Sequence, residues 1–60
     1  MTKIEELRRK AGLTQAELAR KSGVSRPVIS KMEDGEIGSV MGRAFIKLAE
    51  ALGVSVGELF

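Results

Sequence analysis

The chain contains no histidine and no cysteine, so the side chains that most often carry proton transfer, thiolate attack and zinc ligation near neutral pH are missing. Its serines have no basic partner of the triad kind, no glycine-rich phosphate loop occurs, and the acids lack metal-binding spacing. Neither catalysis nor a metal or cofactor is expected. The chemistry that remains is charge recognition. Residues 1–31 carry eight basic and three acidic side chains, while residues 32–60 carry two and five, so a net charge of +2 conceals halves of +5 and −3. A basic half on so small a chain is an electrostatic footprint for a polyanion, and nucleic acid is the commonest such partner.

Sixty residues make one domain at most, near the lower size at which a single apolar core holds a chain folded. Without a disulfide framework, apolar packing must do the stabilising. No apolar run approaches the roughly 20 residues that span a bilayer, and the N-terminus MTKIEELRRK is charged without a following apolar stretch. A soluble cytoplasmic chain is expected, with no membrane partner and no evident small-molecule ligand.

Glycines punctuate short segments of helical apolar spacing, and no useful strand-like alternation occurs. Ile4, Leu7 and Ala11 share one face of a first helix that stops at Gly12. Thr14 followed by Glu17 is a capping-box pattern, after which Ala16, Leu18 and Ala19 form a short buried stripe before Gly23. Ser25 is suited to cap a third helix, which makes Arg26 its first residue and Pro27 its second, with Ile29 and Met32 facing inward until Gly35. Proline is tolerated there because the N–H it lacks has no helical partner in the first turn. Phe45, Leu48, Ala49 and Leu52 mark a fourth helix closed by Gly53, and Ser55 with Glu58 caps a last turn, VGELF. The reading is all-α, with five short helices and residues 1–60 in a single domain.

The informative stretch is 15–34, QAELARKSGVSRPVISKMED, where helices 2 and 3 meet through a tight turn. Leu18, Val24, Ile29 and Met32 are the apolar contacts that hold the two together. Ala19 sits where the second helix must approach the first closely, and Gly23 supplies the positive φ that lets the chain reverse.

These residues resemble the helix-turn-helix of the lambda-repressor-like, Cro-type family of phage repressors and small bacterial regulators. LTQAELARKSGVS is close to that family's usual wording, and the similarity continues through ISKMEDG into KLAEALGVSVGELF. It therefore spans essentially the whole chain and implies that family's compact five-helix domain. In the family, the second helix of the motif lies in the DNA major groove with its N-terminal residues at base edges, and the first crosses the backbone. Carried onto this chain, the reading helix is 25–34. Because Ile29 and Met32 are committed to the core, the base-facing positions are Ser25, Arg26, Pro27, Val28 and Lys31. The forked guanidinium of Arg26 suits guanine O6 and N7, Lys31 suits guanine or phosphate, and Val28 or Pro27 suits a thymine methyl.

The same resemblance sets Gln15 against a phosphate, with Thr14 and the neighbouring helix-terminal amides assisting and Ser30 as a further phosphate contact. Arg8 and Glu33 match a pair that forms a salt bridge between the first helix and the end of the reading helix in many relatives. The implied function is a sequence-specific regulator of transcription, a repressor acting by operator occupancy without a cofactor. Its partners would be a palindromic double-stranded DNA operator and a second copy of the chain, the two reading helices standing about 34 Å apart. The linker GEIGSVMGRAF departs from the pattern. It is longer than in common relatives and lacks the basic residues that several of them place beside the DNA backbone, and Asp34 and Glu36 add negative charge near that edge. Ile37, Val40 and Met41, with Val56 and Phe60, are more apolar than solvent-facing positions need, which marks them as a dimer patch. The alternative is a protein-interaction module of the same fold that presents this patch to another protein, as an antitoxin does to its toxin, and binds DNA weakly.

Overall fold

Helices this short depend on well-made ends, because each leaves several backbone N–H and C=O groups without intrahelical partners. The computed structural model describes residues 2–36, 38 and 41–60, and every regular element among them is helical. Helix α1 is Ile4–Lys10, with Glu5 and Glu6 in its first turn and Arg8, Arg9 and Lys10 in its last, charges that complement the helix dipole. Ile4 is wholly buried and Leu7 half-buried. Ala11, expected on the same inward face, is exposed. The helix ends before it, and the buried position one turn earlier on that flank belongs to Arg8.

Helix α2, Gln15–Ser22, begins with a reciprocal cap. The Glu17 N–H donates to the Thr14 hydroxyl at 3.1 Å, and the Thr14 N–H donates to the Glu17 carboxylate at 2.9 Å. At the other end the Ser22 hydroxyl donates to the Leu18 carbonyl at 2.7 Å and accepts the Val24 N–H at 3.1 Å. Gly23 turns the chain with φ +78°, its N–H donating to the Ala19 carbonyl at 2.9 Å. Three residues, Gly23, Val24 and Ser25, thus separate α2 from α3, which is Arg26–Glu33. Pro27 sits in the first turn of α3. Ser25 has the extended backbone of a cap (φ −66°, ψ 150°), but its hydroxyl makes no capping hydrogen bond, so proline rather than the serine side chain enforces the helix start.

Helix α4, Gly42–Leu52, is the longest and most amphipathic, burying Phe45, Leu48 and Ala49 and half-burying Leu52. It ends with the Val54 N–H on the Ala49 carbonyl and the Gly53 N–H on that of Glu50, the paired bonds of a Schellman stop. The fifth segment, Val56–Leu59, is a 3-10 turn rather than an α-helix, so the elements among the described residues are four α-helices and this turn instead of the five helices expected. Four residues are too few to propagate an i→i+4 ladder. The Ser55 N–H and hydroxyl both donate to the Glu58 carboxylate, at 2.7 and 3.2 Å.

That turn places Leu59 in the core and its carbonyl on the Lys3 N–H at 2.6 Å, while the Thr2 hydroxyl donates to the Met32 carbonyl at 2.8 Å. The start of the chain is thereby tied both to its end and to α3. Helix α2 packs on α3 and α4, α1 on α3 and α4, and α4 on the 3-10 turn. Six side chains are wholly buried at the centre: Ile4, Leu18, Ile29, Met32, Leu48 and Leu59. Each contributes about 1.5–3 kcal/mol of transfer free energy. Val24 joins this core, Ala19 packs half-buried against it, and Gly23 stands exposed in the turn. No helix among the described residues is long and apolar enough to cross a membrane.

An alanine Cβ at Gly23 meets nothing within 4 Å, so Gly23→Ala carries only the conformational cost of positive φ. Chemical denaturation is expected to show a loss of about 1–2 kcal/mol; an unchanged midpoint would mean that the turn does not require a left-handed residue.

Candidate nucleic-acid interface

Helix α3 is held at its C-terminal end by a buried carboxylate. Glu33, the last residue of α3, has a side chain only 3% exposed and accepts from Arg8 Nε at 2.8 Å and Nη2 at 3.3 Å. The third guanidinium nitrogen, Nη1, donates to the Leu13 carbonyl at 2.8 Å, and the Leu13 N–H in turn donates to the Arg8 carbonyl at 3.1 Å. Gln15 Nε2 donates to Glu33 Oε1 at 3.0 Å. The end of α3, the middle of α1, the α1–α2 connection and the first residue of α2 therefore share one hydrogen-bonded cluster. Burial pushes the Glu33 carboxyl pKa up, but the hydrogen bonds from Arg8 and Gln15 and the Arg8 charge outweigh it and hold the group below its ordinary 4.5. Glu33 pins the Arg8 guanidinium in its protonated form.

Gln15, assigned to a phosphate by resemblance, is half-buried with its amide nitrogen on Glu33. One N–H serves the carboxylate, which leaves the second N–H and the amide oxygen for another partner. The Thr14 hydroxyl is engaged in the cap, and the hydrogen bonds from Thr14 hold the Glu17 carboxyl below its ordinary pKa. On α3, Ser25, Arg26, Pro27 and Lys31 are exposed, Val28 and Ser30 are half-buried, and Val28 packs on the core. Arg26 and Lys31 are in no ion pair among the described residues.

The sequence reading missed two residues of this surface. Arg43 and Lys47 of α4 line one groove of about 380 Å³ with Ser25, Val28 and Lys31. Their i, i+4 spacing places both on one face of α4. Only the tertiary fold, which sets α4 across this groove from α3, brings that face to the same groove as Lys31. The surface is thus more basic than the acidic linker suggested. Met41, from the expected dimer patch, lines the same groove half-buried. Ile37 and Val40 lie outside the described residues. Val56 and Phe60 are 39% and 49% exposed, and the Phe60 ring lies on Phe45 with centroids 4.9 Å apart. Ile46, which the patch did not include, is 52% exposed.

A family model described as helix-turn-helix matches residues 4–59, from the first residue of α1 to the last of the 3-10 turn. The chain belongs to the helix-turn-helix family. It is also 39% identical over 59 residues to a protein of Archaeoglobus fulgidus named an uncharacterized HTH-type transcriptional regulator, a match covering 98% of this chain and 83% of that one. No solved structure matches the chain significantly. Helix-turn-helix regulators are non-catalytic, and this member is accordingly not an enzyme. The buried cluster sits on the side where the end of α3 meets the start of α2.

Removing one partner of a buried ion pair costs about 3–5 kcal/mol, whereas replacing both by apolar groups is far milder. Arg8→Met and Glu33→Leu are each expected to lower unfolding free energy by that amount and the double variant by much less. Because the folded-state pKa of Glu33 is lowered, its contribution is complete above the ordinary carboxylate range and is lost as pH falls through the folded value. Thermal unfolding from neutral to acid pH is expected to show this loss in the wild type and a shallower acid dependence in Glu33→Gln. Identical slopes would show that other carboxylates dominate acid denaturation.

Proposed function

We propose that the chain is a sequence-specific, double-stranded DNA-binding regulator of transcription of the lambda-repressor-like, Cro type, acting as a repressor by operator occupancy. The observation that carries the reading is Arg26, exposed and in no ion pair among the described residues, at the first turn of a helix whose inner face, Ile29 and Met32, is wholly buried and whose far end is fixed by Glu33. Such a helix offers a rigid guanidinium fork to a groove. Lys31, Arg43 and Lys47 supply the positive border that a phosphate strand needs. Gln15, with its second N–H, and the N-terminal amides of α2 serve a further phosphate, and Ser30 stands beside them as a weaker contact. The Archaeoglobus relative's name as a transcriptional regulator supports the same assignment.

The exposed Val56 and Phe60, joined by Ile46, support a homodimer on a palindromic operator. They also favour the second reading, a module that binds another protein through this surface. Selection of bound duplexes from a random pool separates the two. A defined, two-fold symmetric consensus is expected, and binding must weaken steeply with salt if several cations contact phosphates. On that consensus, Arg26→Ala is expected to cost about 1–3 kcal/mol and to relax preference at one base pair, while Gln15→Ala weakens all duplexes alike. Unchanged affinity in both variants would refute the reading-helix assignment. Phe60→Glu is expected to shift the sedimentation of the protein toward monomer and to lower operator affinity; a monomeric wild type would instead refute the dimer.

A further inference from the structure

The groove between α3 and α4 includes two apolar side chains, Met41 and Ala44, that the proposed DNA contacts do not use. Its floor is apolar, formed by Val28, Met41 and Ala44, and its border carries Lys31, Arg43 and Lys47. No acidic residue among the described ones lines it, and none of the three cations is in an ion pair among the described residues. At about 380 Å³ it falls at the small end of the range of small-molecule sites, about 300–1,000 Å³.

We infer that this groove is a binding site for an amphipathic organic anion, an acyl or aryl carboxylate whose apolar body covers Val28, Met41 and Ala44 while its charged head meets Lys31, Arg43 and Lys47. The two halves of the lining demand the two halves of the ligand. An inorganic anion satisfies the cations and leaves the floor wet, and a neutral apolar molecule covers the floor while stripping water from three charges. A second copy of the chain fits poorly, because a two-fold interface centred here sets the same three cations against their own images. Since Ser25, Val28 and Lys31 also belong to the proposed base-reading surface, an occupied groove excludes DNA from it. That regulatory consequence rests on the operator reading, whereas ligand binding itself does not.

The test uses octanoate below its micelle concentration, 1-octanol and inorganic phosphate as probes of charge plus body, body alone and charge alone. Each is titrated into the wild-type protein while backbone amide and methyl NMR signals are followed. Octanoate is expected to bind saturably, with shifts centred on Val28, Met41 and Ala44, and each of the other probes to bind at least about tenfold more weakly. Met41→Glu is expected to abolish this binding. Arg43→Gln, a change at an exposed position that leaves the floor intact, is expected to weaken it several-fold.

Equal binding of octanol, equal binding of phosphate, or octanoate shifts at Ile46 and Phe60 instead would overturn the site. Concentration-dependent shifts at the same residues without ligand would assign the groove to a second copy and overturn it likewise. In the presence of a selected duplex, octanoate is expected to raise the apparent Kd for DNA, and an unchanged Kd at saturation would overturn the regulatory consequence. Failure of the protein to bind any duplex would overturn the operator reading and that consequence together, while the NMR titration still decides the site.

Discussion

A carboxylate removed from water sets the terms for the rest of this molecule. The Glu33 side chain is almost completely buried, and an unpaired charge there would cost several kcal/mol, so the fold must bring donors to it. It brings Arg8 from α1 and Gln15 from the first residue of α2, and the remaining Arg8 nitrogen is consumed by the Leu13 carbonyl. Pairing of this kind returns little net stability, because the Coulomb gain is largely spent against lost hydration. What it imposes is geometry. Every arrangement of α1, α2 and α3 that parts Glu33 from its donors is penalised, and the angle at which α3 leaves the body is fixed accordingly.

Around that constraint the apolar core is small and made of large side chains. Ile4, Leu18, Ile29, Met32, Leu48 and Leu59 are each wholly buried, and they come from α1, α2, α3, α4 and the C-terminal 3-10 turn, so none of these segments can leave without opening the centre. Helices of seven to eleven residues have little stability by themselves. The capping box at Thr14 and Glu17, proline in the first turn of α3 and the paired carbonyl bonds after α4 compensate by satisfying or removing orphan backbone groups.

With its inner face and far end committed, α3 has one face left to act, and the exposed side chains there are Ser25, Arg26, Pro27 and Lys31. The neighbouring α4 adds Arg43 and Lys47 to the same surface. Cationic groups therefore gather along one groove, while the exposed apolar side chains Ile46, Val56 and Phe60 lie on α4 and the C-terminal turn.

Local chemistry determined the segment pattern of this protein. Helix ends are set by groups a few residues apart, so Thr14 with Glu17, Pro27 after Ser25, and Gly53 after Leu52 could be read directly from their order. The inward faces of α3 and α4 were legible for the same reason, since 3.6-residue periodicity is a property of one helix. Tertiary structure decided the matters that depend on other segments. Ala11 lies on the expected stripe yet is exposed, because Arg8 and the Leu13 turn take up that flank. VGELF has a cap and apolar residues but closes only as a 3-10 turn that places Leu59 in the core. The Gln15 amide is drawn to a carboxylate 18 residues away, and Lys31 comes to share a groove with Arg43 and Lys47 only through the tertiary fold. Short-range order in the chain specifies where helices begin and which way they face, whereas burial and charge pairing across the core decide which side chains finally meet.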